Sequence, residues 1–297
     1  MLLFMSSEKC QCASGAGKQI WTPGEHIVRR TFAAAAAAES GGGNSESGAL
    51  VAPLLGSRAQ FCSALFHAPP SPEWGNDEAV CVRHASFTLR AKADCRSKQV
   101  VALAVLRDSG RTLRYAARYT NCWRGDTERT VHAEDWMVRD GELERALATA
   151  QDGELTLYLS YQPCHHSGGH HALRGRAHAK SCTRVVLDYA GRVRRTYGVS
   201  LLIRCCNVYR AHWRDSMHAS ERDRLTYSPK TRAAQQGLRL LLRSPLVELH
   251  SMTARDWQFL WREFVDSNES LSDEHVAQRE ALDRSVRAFF ASLLACD

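Results

Sequence analysis

Three residues in the middle of the chain carry the side chains that catalytic zinc sites prefer. His132 stands at the start of a predicted helix, Cys164 follows the next predicted strand, and Cys182 begins the following helix. Catalytic zinc takes three protein ligands and keeps a fourth position open. One imidazole and two thiolates meet that requirement, and helix N-termini favour the thiolate form of cysteine. These residues are candidate ligands for one Zn²⁺ per chain.

Glu134 lies two residues after His132, where a carboxylate can face a metal-activated water without binding the metal. Zinc lowers the pKa of bound water to about 7, which makes a nucleophile at neutral pH. A carboxylate beside that water can take its proton and pass protons to the reacting group. Glu134 is therefore the candidate catalytic acid and base.

The segment His132-Ala133-Glu134, followed by Pro163-Cys164, resembles the zinc-binding pattern of the AID/APOBEC family of cytidine deaminases. Ser160-Tyr161-Gln162-Pro163-Cys164 is similar to the family's Ser-Trp-Ser-Pro-Cys segment, with Tyr161 in place of tryptophan. Similar residues continue in the same order, so that the resemblance covers residues 80–270. The later ones are Tyr209, Gly237, Leu238, Arg239, Val247, Met252, Thr253, Asp256, Trp261, Phe264 and Val265.

This resemblance implies hydrolytic deamination of cytosine to uracil in single-stranded DNA or RNA, with His132, Cys164 and Cys182 holding zinc and Glu134 moving protons. The motif also permits adenine as the target base, but the resemblance favours cytosine. A free-nucleoside deaminase would leave the basic segment described below without a role. The alternative from another class is a catalytically silent protein that binds single-stranded nucleic acid, and the intact Glu134 argues against it.

The spacing of the two cysteines departs from the family pattern, which places them three positions apart. Ser167 occupies that position, and the next cysteine comes 18 positions after Cys164. The residues between read as a loop insertion. Two alternatives to the ligand set stay open: a histidine as third ligand with Cys182 structural, or a metal-free, inactive site. A histidine acting as a fourth ligand would instead close a structural zinc site. The histidines concerned are His166, His170 and His171, of which His166 is the best candidate for the fourth ligand.

The insertion carries five histidines, three basic residues and no acid. This composition favours a mobile polar loop beside the pocket over a second metal site. Its basic residues are Arg174, Arg176 and Lys180.

Aromatic and basic residues near the site could hold a strand of nucleic acid. By the resemblance, Tyr209 and Trp213 lie where the base before the target is read, and stacking would contribute about 1–3 kcal/mol per base. Arginines nearby would contact phosphates. In the approach to the metal-binding helix, Asn121 could bond the sugar and Trp123 could stack. For Tyr209 a plain core position is the alternative. The candidate substrate-binding residues are Asn121, Trp123, Tyr161, Tyr209, Trp213, Arg204, Arg210 and Arg214.

The elements that must position these residues follow from hydrophobic periodicity and cap signals. The predicted order is β-β-α-β-α-β-α-β-α-α, which indicates an α/β fold with a five-stranded mixed sheet and helices on both faces, the three-layer cytidine deaminase-like architecture. Predicted strands cover 99–106, 112–120, 155–161, 199–209 and 246–250. Predicted helices cover 131–150, 182–189 (ending before Gly191), 228–242 (opening at Ser228-Pro229), 253–265 and 273–294.

Composition divides the chain in two. Residues 1–77 hold an alanine run and Gly-, Ser- and Pro-rich stretches, which predict a largely disordered N-terminal tail, whereas residues 78–297 form the predicted deaminase domain with its C-terminal helices. The formal net charge is +7, but the segment from Arg192 to Arg243 alone carries +9. A concentrated basic segment indicates a phosphate-bearing partner, with a solvated arginine-rich surface as the alternative.

The sequence gives no sign of export or of a membrane partner. No apolar run approaches the roughly 18 residues that span a bilayer, and the apolar stretch at the N-terminus stops at Ser6. Eleven cysteines without a secretory signal indicate reduced thiols and a metal site rather than disulfides. We expect an intracellular protein, in the cytoplasm or nucleus. Oligomeric state and the choice between DNA and RNA do not follow from the sequence.

Overall fold

The computed structural model describes residues 27–31, 54–66, 100–121, 131–173, 176–212, 220–267 and 270–295. The strands in these ranges are β1 (Ile27–Thr31), β2 (Val101–Arg107), β3 (Leu113–Thr120), β4 (Glu154–Leu159), β5 (His165–Leu173), β6 (Arg176–Ser181), β7 (Ser200–Cys205) and β8 (Val247–Ser251). The helices are α1 (Arg58–Phe61, continued by a π-helical turn, Cys62–Phe66), α2 (Ala133–Met137), α3 (Gly141–Thr149), α4 (Cys182–Tyr197), α5 (Glu221–Arg243), α6 (Ala254–Phe264) and α7 (Asp273–Ala295).

The main sheet is mixed and open, with the strand order β1-β3-β2-β4-β7-β8. Neighbours from β1 to β4 run antiparallel, and β4, β7 and β8 run parallel. The predicted α/β class is confirmed. The predicted count of five strands is wrong, because β1 adds a sixth strand beside β3.

Both faces of this sheet are covered, since successive strand residues point to opposite sides. On one face, side chains such as Ala104, Leu157 and Ile203 pack against α2 to α5. On the other face, Leu103 and Val105 pack against α1, its π-helical turn and α6. Helix α7 contributes to both layers. The described helices include none long and apolar enough to cross a membrane.

Two segments within residues 1–77, the predicted N-terminal tail, belong to the fold. Strand β1 pairs with β3 over five residues. Residues 54–66 bury Leu55, Phe61 and Phe66 completely, and the Phe61 ring lies edge-on to Trp257 at 6.1 Å between centroids. Both segments are short and stand among Ala-, Gly-, Ser- and Pro-rich stretches, so their apolar residues were not recognised as part of the core.

Three predicted helices have different bounds in the structure. The helix expected over 131–150 is divided into α2 and α3, because Asp140 caps a new helix by accepting a hydrogen bond from the Glu142 amide at 3.0 Å. Helix α4 continues past Gly191 to Tyr197 and ends at Gly198, whose φ is +71°. Helix α5 begins at Glu221 and contains Pro229 inside it.

The insertion between the two cysteines is not an irregular loop along its backbone. It forms an antiparallel hairpin of β5 and β6, in which His165 pairs with Ser181 at the root and Leu173 pairs with Arg176 near the turn.

Candidate metal centre

His132 immediately precedes α2 with an extended backbone, φ −84° and ψ 160°. Its position is fixed by Asp135, whose carboxylate accepts the His132 amide hydrogen at 3.0 Å. A carboxylate at the third helical position that accepts from the cap residue's N–H is half of a capping box. The N-terminus of α2 thus holds the imidazole-bearing residue in a defined place.

Cys164 and Cys182 come together because the hairpin closes on itself. The Thr183 amide donates to the Cys164 carbonyl at 3.0 Å, and the Thr183 hydroxyl donates to the Pro163 carbonyl at 3.3 Å. One residue further out, His165 Nδ1 and Ser181 Oγ lie 2.8 Å apart. The residues between the two cysteines therefore form the β5–β6 hairpin, whose two ends lie together.

The three candidate ligand atoms form a tight group. His132 Nδ1 lies 3.6 Å from Cys164 Sγ and 3.2 Å from Cys182 Sγ, and all three atoms lie within 4.8 Å of one another. A tetrahedral zinc with ordinary Zn–N and Zn–S bonds would separate such atoms by about 3.6 Å. The residues fit a metal ion with one imidazole and two sulfur ligands.

The alternative ligands are placed less favourably or are not described. His166 is exposed, and its ring lies 4.4 Å from that of His165. Among the residues whose side chains the structure describes, the metal-binding group comprises His132, Cys164 and Cys182 alone. The side chains of His170 and His171 lie outside the described set.

Electrostatics favour thiolate at this group. A hydrogen bond from Cys182 lowers the pKa of Cys164 well below its usual range, and the hydrogen bond and charge of His132 act in the same direction against the effect of burial. A thiolate is the form of cysteine that binds a metal.

Glu134 lies beside this group and is almost completely buried, with 3% of its surface exposed. Burial raises its pKa, the charge of His132 lowers it, and that of Cys164 raises it. Its Oε2 atom is buried without a hydrogen-bond partner among the described residues. Leaving a buried polar atom unsatisfied costs about 1–3 kcal/mol, so this carboxyl is poorly explained by stability.

Two of the predicted substrate-binding aromatics lie together. The Tyr161 and Tyr209 rings meet edge to face with centroids 5.8 Å apart, and Tyr209 is 39% exposed. The Arg210 guanidinium lies over the Tyr209 ring at 4.7 Å, and the backbone of Arg210 is left-handed, φ +64°. The ring of the neighbouring His212 is neutral at pH 7, because burial lowers its pKa to about 4.

The structure does not place the Arg204 side chain beside Tyr161 and Tyr209. Its side chain faces α6, where it lies 3.6 Å from Asp256 and donates to the Ser251 carbonyl at 3.3 Å. The two-residue period of β7 explains this, since Ile203 and Cys205 face the other layer. The amide oxygen of Asn121 accepts from the Val100 amide at 2.7 Å. Trp123, Trp213 and Arg214 lie outside the described residues.

Gln162 lies in the segment that resembles the family pattern, but the sequence predicted no role for it. Its side-chain amide bonds both backbone groups of Tyr209, accepting from the amide at 2.6 Å and donating to the carbonyl at 2.5 Å. It thereby joins the segment that carries Cys164 to the segment that carries Tyr209. Its position directly before Pro163-Cys164 could have drawn attention to it. Its hydrogen-bond partner could not be predicted, because Tyr209 lies 47 residues away in the sequence.

Comparisons with known proteins add no family assignment. No protein-family model matches the chain, and a search of curated proteins finds no match.

Proposed function

We propose that this protein is a zinc-dependent cytidine deaminase of the AID/APOBEC kind, which hydrolyses cytosine to uracil in single-stranded DNA or RNA. The observation that carries the proposal is the convergence of His132, Cys164 and Cys182 beside the buried carboxyl of Glu134. Three ligands and an adjacent acid-base group are what metal-assisted hydrolysis requires.

The residues divide the chemical work. His132, Cys164 and Cys182 would hold one zinc ion, which lowers the pKa of a bound water to about 7 when present. Glu134 would accept the proton of the attacking water and deliver protons to the ring nitrogen and to the leaving ammonia. Burial raises the pKa of Glu134, which suits a group that must both take and return a proton.

Surface residues support a nucleic-acid substrate. The exposed ring of Tyr209, with Tyr161 and Arg210 beside it, offers a stacking surface and a cation next to it. Arg232 on α5 is exposed and lies about one helical turn from Gln235, whose side-chain amide donates to the Ala211 carbonyl at 2.8 Å, so it adds positive charge close to the segment of Tyr209. Phosphate contacts of this kind weaken as salt rises.

The test is conversion of cytosine to uracil in single-stranded DNA and RNA oligonucleotides, measured with zinc-loaded protein. We expect Glu134→Ala to lower the rate at least about 100-fold, since positioned acid-base groups contribute factors of this size. Zinc content should stay at one ion per chain, because Glu134 is not among the ligands.

The matched control is Glu142→Ala, which removes an exposed carboxylate on the neighbouring helix. It should react at the wild-type rate. Wild-type conversion by Glu134→Ala would refute the assigned mechanism. Strand binding and bound zinc without any conversion by the wild-type protein would indicate a silent binder instead.

We also propose that the protein works inside the cell, in the cytoplasm or nucleus. Cys205 and Cys206, which are adjacent and buried, are both free thiols. Reduced thiols persist where glutathione and thioredoxin keep them so.

A further inference from the structure

Arg279 is a completely buried arginine on α7. Its guanidinium donates to Asp283 on the same helix at 3.1 Å and to the Phe66 carbonyl of the π-helical turn at 2.9 Å. It also donates to the Cys206 carbonyl and, at 3.4 Å, to the side-chain oxygen of Asn207. The guanidinium therefore ties the last helix and the N-terminal segment to the end of β7.

The charge of Arg279 is balanced within the core. Asp283 accepts from Arg279 and from the Trp257 indole at 2.7 Å, and the Arg279 guanidinium lies 4.9 Å from the Trp257 ring centroid. An ion pair with Asp283 alone would satisfy the charge. The bonds to Cys206 and Asn207 have a further consequence, because Asn207 is hydrogen-bonded to the segment that leads to Cys164.

Asn207 connects the end of β7 to the segment that ends in Cys164. Its side-chain amide donates to the Ser160 carbonyl at 3.4 Å, and its backbone carbonyl accepts from the backbone N–H of Gln162 at 3.3 Å. Gln162 lies two residues before Cys164, and its side chain fixes the backbone of Tyr209. A continuous set of hydrogen bonds thus runs from Arg279 through Asn207 to both sides of the site.

We propose that Arg279 is a positioning residue for the metal centre, acting through Asn207 on the segment that carries Cys164. The inference rests on the metal-binding part of the proposed function and not on the identity of the substrate. The planar fork of arginine is required, since it reaches acceptors on several segments at once. A lysine carries its three donors on one nitrogen and cannot span these acceptors.

The experiment measures Co²⁺ affinity and the visible absorption of thiolate-bound Co²⁺ in the full chain, with thermal unfolding recorded beside it. Arg279→Lys keeps the charge next to Asp283 but loses the fork, and we expect about 10-fold weaker Co²⁺ binding, as for residues that orient ligands. Asn207→Ala leaves the ion pair intact and should weaken binding similarly. The double variant should bind no more weakly than the single ones.

Arg118→Lys is the matched control. Arg118 is also buried and donates to a carbonyl of the N-terminal segment, that of Leu54 at 3.0 Å, but it lies on β3. It should lower stability without changing Co²⁺ affinity. Equal Co²⁺ affinity in Arg279→Lys and Arg118→Lys, or additive losses in the double variant, would overturn the inference. Failure of the wild-type chain to bind Co²⁺ would instead overturn the metal centre itself.

Discussion

The described cysteines fall into two chemical kinds that their neighbours determine. Cys164 has a pKa well below its usual range because Cys182 and His132 stabilise its thiolate. Burial instead raises the pKa of Cys205 to about 12, and that of Cys206 also lies well above its usual range. Since only a thiolate binds a metal, Cys164 is suited to be a ligand, whereas Cys205 and Cys206 have the properties of inert core residues.

This difference predicts the effect of removing single sulfur atoms. Cys182→Ser should bind zinc at least about 100-fold more weakly, because a hydroxyl is a poor substitute for a thiolate ligand. Metal content after dialysis against a graded chelator measures the effect. Cys205→Ser is the control and should keep one zinc per chain. If Cys182→Ser retained tightly bound zinc, a histidine of the hairpin would have to be the third ligand.

At the residue scale, local position was sufficient to select side chains that the structure brings together. His132, Glu134 and Cys182 lie at or near helix starts, and the structure places His132 and Cys182 together with Cys164. Gln162 and Asn207 could not be found in this way, because they act through hydrogen bonds to distant backbone groups. Such partners become neighbours only when the sheet has formed.

At the scale of elements, the candidate metal centre depends on a close approach of α5 to the hairpin root. A Cβ atom added at Gly237 would lie 2.4 Å from the His165 Cβ and 2.9 Å from the Thr183 hydroxyl. No real Cβ makes such contacts, so only glycine lets α5 pack here. His165 and Thr183 directly follow the two candidate ligand cysteines, so the geometry of these cysteines depends on how closely α5 packs here.

Gly237→Ala should therefore lower the free energy of unfolding by about 1–3 kcal/mol, as overpacking of a core does, and should weaken zinc binding. Gly141→Ala is the control at the start of α3, where an added Cβ meets nothing within 4 Å. There alanine should be neutral or stabilise by up to about 1 kcal/mol, since it restricts the unfolded chain. Chemical denaturation of both variants with and without zinc separates the two effects. Wild-type stability in Gly237→Ala would mean that α5 can shift.

Elements with strong periodicity were predictable, and those that depend on distant pairing were not. The buried runs of β2 and β4 and the cap of α6 at Thr253 agree with the expected positions, whereas β7 begins as expected but ends at Cys205, four residues before the predicted end at Tyr209. Strand β1 has only five residues and gains its stability from β3, so its own sequence carries little signal. The division between α2 and α3 likewise depends on Asp140, whose partners lie on the sheet.

At the scale of the whole molecule, Asp140 joins the N-terminal strand to the body of the fold. It accepts from the hydroxyls of Tyr115 at 2.6 Å and Tyr119 at 2.8 Å, and from the guanidinium of Arg29 at 2.9 Å. The register of β1 against β3 brings these three donors together. Tyr115 and Tyr119 share a face of β3, and Arg29 on β1 lies opposite Ala117 between them.

This cluster predicts an acid-dependent part of the stability. Burial alone would raise the pKa of Asp140, but the bonds from Arg29 and the two tyrosines hold it below its ordinary value of 3.8. Its contribution is therefore complete above that value and is lost as pH falls through the lower, folded pKa. Asp140→Asn should lower the free energy of unfolding by about 2 kcal/mol at pH 7, less than a fully buried pair because Arg29 is partly exposed.

Unfolding by urea at a series of pH values measures this effect. The difference between wild type and Asp140→Asn should shrink as pH falls below 3.8. Glu280→Gln, which removes an exposed ion pair with Arg284, is the control and should differ little from wild type at any pH. A constant difference for Asp140→Asn across the series would contradict the linkage.

The closed root of the hairpin also affects how the chain can change over evolutionary time. Because strand pairing between His165 and Ser181 already joins the ends of the insertion, zinc does not have to close an 18-residue loop, which would cost about 2.6 kcal/mol of chain entropy. Residues added or removed beyond the root then leave the ligand geometry unchanged. The number of residues between the two cysteines can therefore change during evolution, and such a site does not require a fixed short spacing.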